Sequence, residues 1–351
     1  MSAKLPVAVL AATGSVGQRF IQLLDNHPSF EVVALSGSDR GIGKPYAEVC
    51  HWLLPKPMPA WARDMKVVPT TPEAISAPLV FSALPAEIAR DAEPLFAKAG
   101  AAVCSNASAY RREPDVPILL PEVNADHANI IQYQRKNRGW KGFIATNPNC
   151  TSTGLVITLK ALLDAFGIKR LFAVSLQAIS GAGYPGVPSL DIIDNVIPYI
   201  GGEEEKVEWE TRKMLGSYLD NSITPANFKI SAHANRVAVS DGHIVCLSIE
   251  LEKSASLEEV TRILENYQGP KESRNLPSSP VPVIQLRQEP DRPQPRLDRM
   301  TGKGMTTVVG RLRPDPLFDY KMVILSHNTI RGAAGGSLYN AELLYSMGFI
   351  D

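Results

Sequence analysis

The 351-residue chain has no net charge to offer a partner. Its 36 Lys and Arg balance 36 Asp and Glu, which argues against a nucleic-acid binder that relies on bulk positive potential and against an acidic disordered chain. Neutrality does not exclude an anionic ligand, because one site needs only a few local cations. Cysteine is scarce: Cys50, Cys104, Cys150 and Cys246 are scattered, with no CxxC pair and no zinc-ribbon spacing. Four isolated thiols suit a reducing compartment better than a disulfide framework, and no metal site is expected. No run of about 18 apolar residues is present, so no membrane span is expected. The N-terminus, MSAKLPVAVLAATGSVG, lacks the apolar run and cleavage site of a signal peptide. No repeat of about 20–50 residues is visible. These absences lead to the expectation of a cytoplasmic protein that binds small molecules, not nucleic acid or membrane.

What is present is length and apolar content. With 44% apolar residues and about 150 residues per domain, the chain allows two cores. Val7–Leu10, Glu31–Leu35, Leu79–Ala83 and Ala101–Cys104 read as strands. Helical stretches over Val16–Leu24 and Ala86–Lys98 alternate with them, the first stopped by Pro28 and the second by Gly100. That βαβ rhythm predicts an α/β domain with a parallel, Rossmann-type doubly wound sheet. Farther along, Leu155, Val156, Leu159, Leu162, Leu163 and Phe166 fall on one face of a helix over Thr151–Phe166. Leu171–Ala178 and Val239–Leu251 read as longer strands, with a charged helix over Glu203–Leu215 between them. Residues 270–316 hold nine prolines and are expected to be an irregular surface excursion. A strand over Met322–Leu325 and a helix over Ala333–Met347 close the chain, the helix being expected to fold back on the first domain.

Ala11-Ala-Thr-Gly-Ser-Val-Gly17 lies between a strand and a helix, the context a dinucleotide turn requires. Small residues let the backbone approach a pyrophosphate, and the helix start supplies free N–H groups and partial positive charge. Ala11 stands where such turns usually carry glycine, which is acceptable if its φ is negative. About 20 residues on, where an NAD site usually places an acid, the chain reads Ser36-Gly-Ser-Asp-Arg40-Gly-Ile-Gly-Lys44. Hydroxyls and two cations favour a 2′-phosphate, hence NADP, although Asp39 blurs the reading and a plain polar loop remains the bland alternative.

Asn147-Pro-Asn-Cys150 immediately precedes the 151–166 helix. Asn149 or the adjacent hydroxyls can cap it, and a thiol at a helix start is expected to have a lowered pKa and nucleophilic character. The alternative for any one of these thiols is a small buried side chain. Among six histidines, His243 stands out, in a turn entering a strand seven residues after Arg236. A lone histidine is more often structural than catalytic.

With Cys150 and His243 placed, the chain resembles the aspartate-β-semialdehyde dehydrogenase family, in its archaeal and fungal branch. The resemblance runs over nearly the whole length. It rests on Thr13-Gly-Ser-Val-Gly17, Ser105-Asn-Ala-Ser, Tyr110-Arg111, Asp115-Val-Pro-Ile, Leu120-Pro-Glu-Val-Asn124, Asn147-Pro-Asn-Cys150, Gln177-Ala-Ile-Ser-Gly-Ala-Gly183, Glu203-Glu-Glu-Lys206, Asn235-Arg-Val, Gly242-His243 and Arg292-Pro-Gln-Pro-Arg296. Two departures are Ala11 and Ala238, the latter standing where many relatives have proline.

The resemblance implies reductive dephosphorylation of L-aspartyl-4-phosphate to aspartate 4-semialdehyde with NADPH, in the biosynthesis of lysine, threonine, methionine and isoleucine. It implies Cys150 as nucleophile, His243 as acid/base and Gln177 as orienting group. Arg236 would hold the substrate carboxylate, Glu203 its amino group, Arg111 and Lys206 the phosphate, and Asn149 would also line the substrate site. Glu203 and Lys206, three apart, share a helix face, and Glu204 or Glu205 can replace Glu203 if the register differs. Cofactor contacts would come from Thr13, Gly14, Ser15, Val16, Gly17, Ser36, Ser38, Arg40, Lys44, Ser82, Ala83, Ser180, Gly181 and Asn328. The implied division is a Rossmann domain of residues 1–147 with 329–351, and an α+β catalytic and dimerisation domain of residues 148–328. The implied assembly is a homodimer or homotetramer. Competing readings are a malonyl-CoA reductase of the same branch, the more distant N-acetylglutamyl-phosphate reductases, and a catalytically dead dinucleotide-binding regulator.

Overall fold

In a computed structural model, which describes residues 3–350, the chain builds two six-stranded sheets. The first contains β1 (Leu5–Leu10), β2 (Phe30–Ser36), β3 (Val67–Val68), β4 (Leu79–Ser82), β5 (Ala102–Ser105) and β6 (Phe143–Thr146). All pair in parallel in the order β3-β2-β1-β4-β5-β6, the doubly wound Rossmann arrangement. The order in which the chain adds strands reverses at β1, outward to β2 and β3 on one side and to β4, β5 and β6 on the other, so a crevice opens at the carboxyl ends of β1 and β4. There Leu10 pairs with Ser82. Helix α1 (Ser15–Leu24) turns Phe20, Ile21 and Leu24 inward. Helix α2 (Ala86–Ala99) ends where Gly100 takes φ +113, a left-handed cap that glycine adopts without Cβ strain.

Helix α3 (Cys150–Phe166) follows β6 directly and carries the chain into the second sheet. That sheet comprises β7 (Ile168–Gln177), β8 (Lys229–Arg236), β9 (His243–Leu251), β10 (Ile284–Arg287), β11 (Thr307–Pro314) and β12 (Tyr320–Ser326), in the order β8-β7-β9-β12-β11-β10. Pairing is mixed: β8 runs parallel to β7, whereas β9 is antiparallel to both β7 and β12. Helix α3 packs on the inner face so closely that a Cβ on Gly154 would lie 2.7 Å from the Ser326 Cβ. Leu155, Leu159 and Leu162 join Val245, Leu247 and Ile324 in the larger core. Helix α4 (Glu203–Met214) covers the β8 end of the same face. The outer face, with Phe172, Val174, Ile244 and Val323 half-buried and Cys246 exposed, carries no covering layer among the described residues. After β12, a π-helical segment (Ile330–Ala334) leads into α5 (Gly335–Ser346), which packs Leu338, Ala341 and Leu344 into the core of the first sheet.

Three readings of the sequence need correction. The strand expected from Val239 starts at His243, and a separate strand, β8, precedes it at Lys229–Arg236. Its alternation of Ile230, Ala232 and Ala234 was the missed signal. The Pro-rich 270–316 segment is not simply an excursion. Its prolines bracket β10 and β11, which form one edge of the second sheet, because proline interrupts a ladder only where an N–H is needed. Finally, Ala11 has φ +53, not a negative value, so the turn holds alanine in the left-handed region at a cost of about 1 kcal/mol. Among the described residues no helix is long and apolar enough to cross a membrane.

Candidate active site

Four chain segments converge where the carboxyl end of the first sheet meets one end of the second. Parallel pairing of β7 and β8 sets Gln177 beside Arg236. His243, at the start of β9, pairs with Ser326 at the end of β12. Cys150 opens α3, and Asn149 caps it, its Oδ1 accepting from the amides of Thr151 at 2.9 Å and Ser152 at 3.3 Å. Cys150 Sγ lies 3.2 Å from His243 Nε2. Cys150 and His243, 93 residues apart, are therefore in hydrogen-bond contact.

One residue, Ala178, organises the histidine side through its two flanking peptide groups. The Ala178 amide donates to His243 Nδ1 at 3.0 Å, and the Ala178 carbonyl accepts from Arg236 Nη1 at 2.8 Å. Because Nδ1 accepts a backbone N–H, the neutral ring carries its proton on Nε2, the nitrogen facing Cys150. Burial, then Arg236 and His327, push the His243 pKa down to about 3. Burial, then Glu203, push the Cys150 thiol up to about 12, against the downward pull of Arg111, Arg236 and the helix-start amide. The lowered thiol pKa expected from the helix start is thus overruled, because desolvation of a charge outweighs a partial dipole. The resting pair is thiol and neutral imidazole.

Glu203 sits opposite. Its two carboxylate oxygens accept from Asn149 Nδ2 at 3.1 and 2.8 Å, from Gln177 Nε2 at 3.3 Å and from Lys206 Nζ at 3.1 Å. The helix register separates the three candidates: Glu204 turns away to accept the Ala234 amide, and Glu205 faces solvent. Arg111 donates through Nη1 to Glu210 at 2.9 Å and through Nη2 to the Asn106 carbonyl at 2.9 Å, while its buried Nε has no partner. Gly181 is required by close approach: a Cβ there would lie 2.8 Å from Arg236 Nη1 and 3.0 Å from His243 Cε1.

Sequence reasoning passed over Glu210 and Gly332. Glu210 lies two turns after Glu203 on the same buried helix face, a spacing that was available as a signal. Gly332, whose added Cβ would sit 2.7 Å from Cys150 Cβ, gave no signal, because its partner is 182 positions away in sequence.

At the cofactor end the structure tests the fit to a dinucleotide. A Cβ on Gly17 would fall 2.3 Å from the Ala11 carbonyl oxygen, so this turn admits only glycine there. Gly14 offers no side chain to cap α1, which leaves the first-turn amides of Ser15, Val16 and Gly17 for an anion. Beside Thr13 a cavity of about 310 Å³ is lined by Gly37, Ser38, Arg40, Gly41, Val49 and Val67, a polar, cationic recess that fits a phosphorylated ribose. Ser36 and Lys44 are not among its lining. The Ser36 hydroxyl is buried and accepts from Thr70 at 2.9 Å, and Lys44 is exposed. Ser82 is fully buried and Ala83 half-buried at the crevice floor. Asn328 is engaged by protein groups: its Nδ2 donates to Ser180 Oγ at 2.8 Å and its Oδ1 accepts the Gly242 amide at 2.8 Å. It ties the glycine-rich loop to the turn that carries His243.

A Rossmann crevice opening onto a cysteine–histidine pair defines a thiol-dependent dehydrogenase. Two family models agree: the semialdehyde dehydrogenase NAD binding domain matches residues 6–131, and the semialdehyde dehydrogenase dimerisation domain matches residues 159–331. Within that class, the chain belongs to the aspartate-semialdehyde dehydrogenase family. It is 51% identical to the aspartate-semialdehyde dehydrogenase of Archaeoglobus fulgidus, covering 96% of this chain and 97% of the relative. It is 45% identical to that of Saccharomyces cerevisiae over all of both chains. The crystal structure of the Candida albicans enzyme with NADP superposes with a TM-score of 0.91 at 43% identity, covering 99% of this chain and 100% of that one.

Proposed function

We propose that this chain catalyses NADPH-dependent reductive dephosphorylation of L-aspartyl-4-phosphate to L-aspartate 4-semialdehyde, a step in the biosynthesis of lysine, threonine, methionine and isoleucine. The observation that carries this reading is the Cys150–His243 contact of 3.2 Å enclosed by Arg111, Glu203, Lys206 and Arg236. Those four groups suit a ligand with phosphate, amine and carboxylate. They argue against malonyl-CoA, which has no amine for Glu203.

Cys150 Sγ attacks the acyl carbon, the C–O bond to phosphate breaks, and a thioester forms. Arg111 and Lys206 hold the departing phosphate, and Arg236 presents its guanidinium fork to the α-carboxylate. When bound, reduced nicotinamide supplies the hydride that converts the thioester carbonyl to a thiohemiacetal. Collapse of that adduct returns the thiol and releases the aldehyde. For the attack, the thiol proton passes to Nε2, the ring nitrogen facing Cys150, which requires the Nδ1–H tautomer and therefore release of the Ala178 amide from Nδ1. The imidazolium so formed donates Nε2–H as a hydrogen bond to the oxyanion that develops on the acyl carbon, and returns the proton to the thiolate when the adduct collapses. Asn149 and Gln177 hold Glu203 toward the substrate amine. Thr13, the α1 amides, Ser38 and Arg40 carry the cofactor's phosphates.

The domain division that accompanies this reading is a Rossmann unit of residues 1–147 with 329–351 and a catalytic and dimerisation unit of residues 148–328. A second copy would cover the open outer face of the second sheet, giving a homodimer or homotetramer in the cytoplasm. The test is NADP reduction by aspartate 4-semialdehyde with and without phosphate, set against malonyl-CoA-dependent NADPH oxidation. Phosphate-dependent turnover is expected, and Cys150→Ser should lower kcat on the order of 10³-fold or more. No turnover of the semialdehyde, or undiminished turnover by Cys150→Ser, would overturn the assignment.

A further inference from the structure

Glu210 is fully buried at the seam between the two sheets, and its hydrogen bonds go to Arg111 and Asn149, not to the thiol. Its two oxygens do different things. Oε1 accepts from Arg111 Nη1 at 2.9 Å, and Oε2 accepts from the backbone amide of Asn149 at 2.7 Å. Arg111 comes from the loop after β5, and Asn149 is the N-cap of the helix that begins with Cys150. One carboxylate thus joins the anion clamp to the residue that immediately precedes the nucleophile. One turn later on α4, Lys213 Nζ donates to the carbonyls of Arg111, Glu113 and Val116 at 2.7, 2.8 and 2.9 Å. The helix therefore grips Arg111 twice, by its guanidinium and by its backbone. Gripped in this way, Arg111 is only 6% exposed and its buried Nε makes no hydrogen bond, an unmet donor that a phosphate oxygen can satisfy.

We propose that Glu210 is a positioning residue for phosphate use: it holds Arg111 in register with the Cys150 helix, so that the phosphate oxygens and the thiol address the same acyl carbon. This rests on the reaction proposed above. A fixed guanidinium loses less freedom on meeting phosphate than a mobile one, so freeing it should weaken phosphate binding specifically. It should not change how Arg236 and Glu203 hold the semialdehyde.

The test is steady-state kinetics in the oxidative direction, with phosphate, semialdehyde and NADP varied in turn. In Glu210→Gln the amide cannot accept from both donors as the carboxylate does. The KM for phosphate is expected to rise at least tenfold and kcat to fall, while the KM values for semialdehyde and NADP stay within about threefold. Glu210→Asp, which keeps the charge but not the reach, should fall between, and it carries the test if Glu210→Gln does not fold. Lys213→Met, which loosens the same loop from its other side, should raise the phosphate KM in the same direction. If the folded variants show an unchanged phosphate KM, or if all three KM values rise together, Glu210 is only structural and the inference fails. If the wild-type protein itself shows no phosphate-dependent turnover, the proposed reaction has failed instead.

Discussion

Replacing Gly332 by alanine tests whether the C-terminal segment sets the position of the nucleophile. The new Cβ would lie 2.7 Å from Cys150 Cβ, 2.9 Å from its Cα and 3.2 Å from its carbonyl oxygen. Carbon atoms meet comfortably at about 3.5–4.0 Å, so about 1 Å of displacement must be found. The Gly332 side has little to give, because its amide donates to the His327 carbonyl at 3.0 Å and its carbonyl accepts from Asn147 Nδ2 at 3.1 Å. Cys150 must therefore move, and its 3.2 Å contact with His243 changes with it. Overpacking of this kind costs about 1–3 kcal/mol of stability, and a misplacement of about 1 Å at reacting atoms costs about 10²-fold in rate. The assay is kcat for the semialdehyde at saturating phosphate and NADP, with the denaturant midpoint measured on the same samples. A kcat within threefold of wild type and an unchanged midpoint would show that Gly332 does not set the thiol.

Two further outcomes follow from the same geometry. Glu203 raises the Cys150 thiol pKa, second only to burial. Removing its charge in Glu203→Gln should therefore increase the thiolate fraction at any pH below the thiol's own pKa. Iodoacetamide alkylation of Cys150 at pH 8 should become faster in the variant even as turnover falls. Slower or equal alkylation would contradict the electrostatic account. In Gly17→Ala the added Cβ meets the backbone of Ala11 and Ala12 at 2.3–2.7 Å, so the turn must open. NADP affinity, followed by protein fluorescence, should fall at least tenfold, about 1.4 kcal/mol, and an unchanged dissociation constant would refute the cradle.

Much of the site was legible before the fold. Glycines after a strand, a cysteine at a helix start and a glutamate three residues before a lysine are local patterns, and they reflect local backbone geometry. The elements missed were those whose local signal conflicted with their tertiary role. The prolines around residues 284–287 and 307–314 suggest loop, yet 284–287 form the edge strand β10, and β11, paired on both sides, carries a proline only at its last position, Pro314. The β8 strand alternates only weakly, because its inner positions Ile230, Ala232 and Ala234 are mostly small and only Ala234 is fully buried. The resemblance implies Asn328 as a cofactor contact, but its amide, in the turn just past β12, is committed to Ser180 and Gly242. No local pattern reveals such a commitment.

By itself the sequence determined the βαβ order and the phosphate turn, which are set by short-range periodicity and turn chemistry. It offered Cys150 and His243 as candidates by their positions, and their roles came only as what the family resemblance implies. Only the tertiary structure decided how those groups are charged and held. Burial, a property of the whole packed seam, raises the thiol and lowers the imidazole. The Ala178 peptide selects the histidine tautomer, and Glu210 locks Arg111 to the start of the nucleophile helix across 99 residues of chain. Desolvation and long-range hydrogen bonds depend on which distant segments come together, and a linear pattern does not carry that information.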